Sequence, residues 1–175
     1  MSDCILRCFA GVQARRVHLL IIVLGLGLSC ILIACGGHDV QTFYPSLADA
    51  DRNGAITRGW IPYFLPSSSR SIHVVGDLSP STEWCAFEFL PADSQSLRKK
   101  LKNSVDVLPQ SISRVPNPRV PWWPAILKGT INAARVHEAG FELYVLVEPA
   151  TSVTTSTSLF AINWQKGIGY FYMAP

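Results

Sequence analysis

Sixteen consecutive uncharged, mostly apolar residues, Leu19 to Ala34, divide this chain in two. As a helix they would reach about 24 Å, short of the roughly 30 Å hydrocarbon core of a bilayer. Arg7, Arg15 and Arg16 precede them, and small residues close the run. A charged start, a short apolar stretch and a small-residue cut site together describe a secretory signal. The alternative, an uncleaved signal anchor, requires the bilayer to thin around it. Both readings keep the arginines inside and send everything after Ala34 out of the cytoplasm. The fold must therefore come from the remaining 141 residues.

That remainder is nearly neutral. From Cys35 onwards there are twelve Lys+Arg against eleven Asp+Glu, a net charge of +1. Such a balance gives no electrostatic footprint for nucleic acid or anionic lipid. The length suits one domain with its own core. Cys4, Cys8 and Cys30 leave with the signal, so Cys85 is the single thiol beyond Cys35. An exported domain of this kind has no disulfide framework, and its apolar core alone must hold it.

The sequence of elements points to an α+β fold. Residues 35–43 read as a tether and 44–175 as the domain. Tyr44 to Ala50 reads as a short helix with Pro45 in its first turn, stopped by Asn53-Gly54. Ile72 to Val75 is a short strand. Glu83 to Leu90 is the clearest strand of the first half, with Cys85, Phe87 and Phe89 on one face and Trp84, Ala86 and Glu88 on the other. Asp93 or Ser94 caps a helix to about Asn103, with Leu97 and Leu101 sharing a side. Residues 108–124 form a proline-rich loop. Thr130 to Glu138 fits either a helix ended by Gly140 or a strand. Phe141 to Glu148 is a strand, and Thr151 to Ser158 a polar connector. Leu159 to Trp164 and Ile168 to Met173 form a C-terminal β-hairpin around Gln165-Lys166-Gly167. The expectation is a single antiparallel sheet with short helices mainly on one face.

Two resemblances carry further expectations. Leu32-Ile33-Ala34-Cys35 resembles the lipobox of bacterial lipoproteins, in which a small residue precedes the lipidated cysteine. The resemblance implies signal cleavage before Cys35, palmitate and other acyl chains on it, and a periplasm-facing domain held to a membrane. Gly36, rather than the aspartate that retains enterobacterial lipoproteins in the inner membrane, favours the outer one. Arg58-Gly59-Trp60-Ile61-Pro62, Leu65-Pro66 with Ser68, Ile72, Asp77-Leu78 and Trp84 with Phe87 and Phe89 are similar to a segment of uncharacterised bacterial envelope lipoproteins. Gly76, Ser79 and Ser81 depart from that segment's polar positions, so any site those groups serve in relatives is lost here.

Motifs for chemistry are few. Asp49-Ala50-Asp51-Arg52-Asn53-Gly54 follows the opening of an EF-hand calcium loop, but Trp60 stands where the bidentate glutamate belongs. No metal site and no cofactor are therefore expected. His38 lies in the tether, His73 and Asp77 are four apart on an expected strand, and His137-Glu138 are adjacent and diverge. H-E-x-x-H, C-x-x-C and G-x-S-x-G do not occur. Cys85, grouped with Phe87 and Phe89, reads as a buried apolar group rather than a nucleophile. Arg98-Lys99-Lys100-Lys102 reads as the solvated end of a helix. Trp122-Trp123 is the candidate partner-binding site: neighbours on an extended backbone face opposite ways, so one ring covers the core while the other stays partly exposed. No catalytic residue is assigned. The leading expectation is a non-catalytic envelope module that binds a protein or cell-wall partner. An immunity or inhibitor lipoprotein acting against a periplasmic toxin and a cell-envelope hydrolase with an unrecognised site stand as alternatives.

Overall fold

The computed structural model describes residues 39–77, 82–148 and 156–174. The apolar run from Leu19, the lipobox with Cys35, His38, Leu78 to Ser81 and the connector 151–155 lie outside the described residues. Six strands form one antiparallel sheet: β1 (Asp39–Ser46), β2 (Arg70–Asp77), β3 (Thr82–Glu88), β6 (Glu142–Glu148), β7 (Ser156–Asn163) and β8 (Ile168–Ala174). Their spatial order is β1-β2-β3-β8-β7-β6. A second, two-stranded ladder pairs β4 (Arg114–Val115) with β5 (Gly129–Thr130). The α-helices are α1 (Leu47–Arg52), α2 (Ser94–Leu101) and α3 (Ala133–Glu138). The α+β class, the antiparallel sheet and the C-terminal hairpin thus stand as the pattern predicts. Among the described residues no helix is long and apolar enough to cross a membrane.

Alternation decides the two sides of the sheet. On one side Ile72, Val74, Cys85, Phe87, Phe160 and Phe171 meet α1, α2 and the segment carrying Ile61 and Leu65. On the other, Val75, Trp84, Leu143, Leu159, Ala161 and Tyr172 meet Ile112, Val115, Trp123, Leu127 and Val136. The helices α1 and α2 lie on the first side. The second is covered by α3 and by the proline-rich chain, whose turns at Gln110–Ile112 and Ala125–Leu127 are short 3-10 helices. Covering both faces explains why β7 is buried along its length from Ser158 onwards, where a sheet with one wet face would alternate.

Several local expectations need correction. The N-terminal stretch from Asp39 to Phe43 is not tether but the body of β1, paired with β2 from Asp39↔Asp77 onwards. Tyr44 and Pro45 continue that strand, and the helix starts only at Leu47. Ser46 sets the boundary, because its Oγ accepts from Asp49 N–H at 3.2 Å and serves as the N-cap. Thr130 to Glu138 divides between both candidate states. Thr130 ends β5, Asn132 Oδ1 caps α3 by accepting from Arg135 N–H, and Gly140 follows the helix at φ +84°. Ser156 to Ser158 belong to β7 rather than to a connector, and Ser158 is buried.

The calcium-like sequence folds as a helix end. Asp49 and Asp51 sit on α1, and Asn53 caps it. Two residues apart on a helix is a rotation of about 200°, so the two carboxylates diverge. Asp49 is also engaged: it accepts from Ser46 Oγ at 2.6 Å and pairs with Arg52, which together hold its carboxyl below the usual range. Calcium at millimolar concentration is accordingly expected to leave the thermal midpoint unchanged. A rise of several degrees in a melting curve would show a bound cation.

Candidate functional site

Trp122 and Trp123 sit in a turn rather than on an extended segment, yet their burial differs. Trp123 is 2% exposed; its indole N–H donates to Leu127 C=O at 2.9 Å, and its ring meets Tyr170 edge-on at 5.5 Å. Trp122 is half-buried. Its ring lies nearly parallel to His73, centroids 5.5 Å apart at 27°, and edge-on to Trp123 at 6.1 Å. His73 in turn meets Phe43, its cross-strand neighbour, at 4.9 Å. Phe43 is 53% exposed. A continuous row of rings therefore runs from Phe43 on the edge strand, across β2, to the buried Trp123 and Tyr170.

Beside this row lies a groove of about 180 Å³, walled by Trp122, His73, Tyr170 and Ala86, with Ser71 and Glu88 at its polar end. Burial raises the Tyr170 phenol above its ordinary range. Arg70 pairs with Glu88 at 3.2 Å on the rim, with both side chains about half exposed. Such a pair contributes about 0–1 kcal/mol to stability. Ser71 holds a positive φ of +49°, at the point where the β2–β3 register shifts. Strain of this sort is maintained only where packing over-determines it.

The remaining sequence candidates are dispersed. Four residues along a strand span about 13 Å, so His73 and Asp77 do not meet. His137 leaves α3 to face Asp106, Nδ1 to Oδ1 3.6 Å, on the surface. Cys85 is fully buried, and burial followed by the nearby Glu83 carboxylate pushes its thiol far up, so thiolate is not available. Of the basic run, Arg98 stacks on Trp164 at 3.9 Å and reaches Glu142 at 3.6 Å, while Lys100 lies 5.7 Å from the Tyr63 ring. Glu142 also accepts from Trp164 N–H and from Tyr144 O–H. Arg98 thus joins a side-chain network with Glu142, while all four basic residues of the run remain exposed at the end of α2. Among the described residues no cluster of His, Cys, Asp and Glu is arranged to hold a metal.

One buried carboxyl stands apart. Glu83 is 8% exposed, and its Oε2 has no hydrogen-bond partner among the described residues. Burial raises it to about 7. A raised acid favours the protonated native state. Its contribution is complete below the unfolded value of 4.5 and is lost as pH rises through about 7. Glu83→Gln is expected to flatten the fall in stability across that window and to raise the melting point at pH 8. An unchanged pH profile in the variant would assign the fall to other groups.

Phe43, His73 and Tyr170 join the tryptophan pair only in three dimensions. Tyr170 was accessible to sequence reasoning through the alternation of β8, where Tyr170 and Tyr172 oppose Phe171 and Met173. Nothing local signals that residue 73 stacks on residue 122.

A model of the YbbD head domain, a bacterial family, matches residues 38–88. This chain is similar to the YbbD head over that stretch. No curated protein and no solved structure matches. The matched stretch comprises β1, α1, β2 and β3, and includes Arg58 to Pro62. The YbbD head match thus holds Phe43 and His73, whereas Trp122, Trp123 and Tyr170 come from the chain beyond it.

Proposed function

We propose that this protein is a lipid-anchored component of the bacterial cell envelope, held at Cys35, facing the periplasm and acting as a non-catalytic interaction module. The outer membrane is preferred to the inner because Gly36 follows the lipid cysteine. The observation that carries the binding role is the ring row, whose exposed end is Phe43 and whose half-buried middle, Trp122, walls the groove. Trp122 is held by His73 stacked on its face and by Trp123 edge-on, with its indole N–H buried, so little conformational freedom is lost when a partner covers its exposed part. Tryptophan on a rigid base is the residue type that most often dominates binding energy. The partner is an envelope protein or a cell-wall component.

Two measurements test this reading. Cys35→Ala is expected to leave the precursor uncleaved and to abolish incorporation of labelled palmitate; label retained in the variant would remove the anchor from the proposal. Trp122→Ala is expected to lower the melting point by no more than about 5 °C, since the ring is only half-buried. The same change should reduce at least tenfold the recovery of whatever partner the wild-type protein captures from membranes. Full recovery with Trp122→Ala would make the ring a packing residue.

A further inference from the structure

β1 ends the sheet on one side, and its register fixes which backbone groups face outwards. Pairing with β2 is continuous from Asp39↔Asp77 to Tyr44↔Ile72, omits Pro45, and resumes at Ser46↔Arg70. Leu47 N–H donates to Ser69 C=O at 2.9 Å in that same register. Odd-numbered residues of β1 therefore turn their backbone towards β2, and the N–H that Pro45 lacks belongs to this inner side. Val40, Thr42 and Tyr44 turn N–H and C=O outwards, where among the described residues they have no partner. Proline on an edge strand ordinarily blocks the outer side. Here it does not.

The same edge carries no charge from Val40 to Ser46. Val40 and Phe43 are exposed on it. The opposite edge differs, since β6 begins and ends on glutamates and its Leu143 C=O accepts from Val105 N–H at 2.8 Å. We propose that β1 pairs with β1 of a second copy of this chain, antiparallel and within one continuous sheet, about a two-fold axis at Thr42. Three outward residues centred on Thr42 are self-complementary. Thr42 meets Thr42 and Val40 meets Tyr44, so six N–H groups find six C=O groups with none left over. In an isologous contact a charge near the axis faces its own copy, and this strand has none to repel. The axis is normal to the sheet, so the Trp122 surfaces of both copies share one side and Phe43 flanks the axis.

Strand pairing alone covers less than the roughly 800 Å² per partner of a standard interface. Association is thus weak between free molecules and strong where both copies are confined to one membrane. That membrane term rests on the lipid-anchor reading; the pairing geometry does not.

The test uses the full chain in bacterial membranes under mild oxidation. Thr42→Cys is expected to form a covalent dimer, since opposed Cα atoms of a hydrogen-bonded pair lie about 5.5 Å apart, within disulfide reach. Gln41→Cys alone is expected to form none, because two such positions are offset to about 8 Å. Gln41→Cys and Phe43→Cys expressed together should cross-link, being opposite each other, and this pair decides the matter should Thr42→Cys fail to accumulate. Wild-type protein controls for Cys35 and Cys85. Equal cross-linking at every position, or none at Thr42 and none in the mixed pair, overturns the proposal. Palmitate labelling of the same fractions reports the anchor separately. Labelled protein without dimer refutes the pairing, and unlabelled protein is cross-linked at high concentration after purification with the same two outcomes.

Discussion

Trp123→Ala is expected to lower stability by about 3–5 kcal/mol, the cost of deleting a large ring from a packed interior. In a domain of this size that corresponds to a fall of roughly 10–20 °C in melting point. The ring is 2% exposed and packs against Tyr170 on one side and Trp122 on another. It also closes the turn Ala125–Leu127 through its bond to Leu127 C=O. Trp123→Phe keeps most of the volume but leaves the buried Leu127 C=O without its donor, so about 1–3 kcal/mol is expected from it. Thermal or urea unfolding of the two variants separates packing from hydrogen bonding. An alanine variant as stable as wild type would mean that the proline-rich segment does not pin the second face of the sheet.

The second large effect belongs to a glycine. Gly167 sits at φ +64° in the β7–β8 turn, and a Cβ there would lie 2.1 Å from the Phe89 carbonyl oxygen. Its own C=O accepts from Phe89 N–H at 2.7 Å, so two backbones are locked against each other. Gly167→Ala incurs the left-handed penalty of roughly 1–2 kcal/mol together with about 1–3 kcal/mol of forced displacement. The neighbouring backbone cannot turn away as a side chain would. Unfolding in urea is expected to show a loss of at least about 2 kcal/mol. Gly59→Ala is the comparison: it also has a positive φ, +79°, but its Cβ would meet nothing within 4 Å. The difference between the two variants isolates the collision from the backbone strain. Equal losses would mean that the turn relaxes.

These sites also show where sequence is legible. The alternation of Cys85, Phe87 and Phe89 against Trp84 fixes β3 and its two faces, because a period of two has one structural meaning. Leu97 and Leu101, four apart, locate the buried side of α2 for the matching reason. Gly167 marks its turn by a backbone need that no other residue meets as well. The start of the domain was harder to read. β1 mixes polar and apolar residues because an edge strand has fewer neighbours to demand either, and Pro45 next to Ser46 serves a strand end as well as a helix start. The tryptophan pair is recognisable in the sequence, but the turn that carries it is not: alternation on an extended backbone is not what separates a buried Trp123 from a half-buried Trp122. Nor are the partners of the pair: His73 lies 49 positions before Trp122, and a stacking contact at that separation leaves no periodic trace.

The strand order has a consequence for how the chain reaches its fold. β1, β2 and β3 are sequential neighbours, as are β6, β7 and β8, so each trio is a local meander; one seam, β3 against β8, joins them. Glu88 and Ile168, paired across it, are 80 residues apart. Closing so long a loop must precede any gain from the seam, so this step is expected to limit the rate and to put folding in the slow range of non-local β topologies, which stopped-flow refolding checks. Substitutions at the seam, where Gly169 lies beneath the Phe87 ring, are therefore expected to slow folding. Substitutions in β1, at the far edge of its own meander, are expected to act chiefly on the rate of unfolding. Until the seam forms, β3 is an open edge bearing Trp84 and Phe87, so the interval before closure is when a chain of this design most needs to be kept from its neighbours.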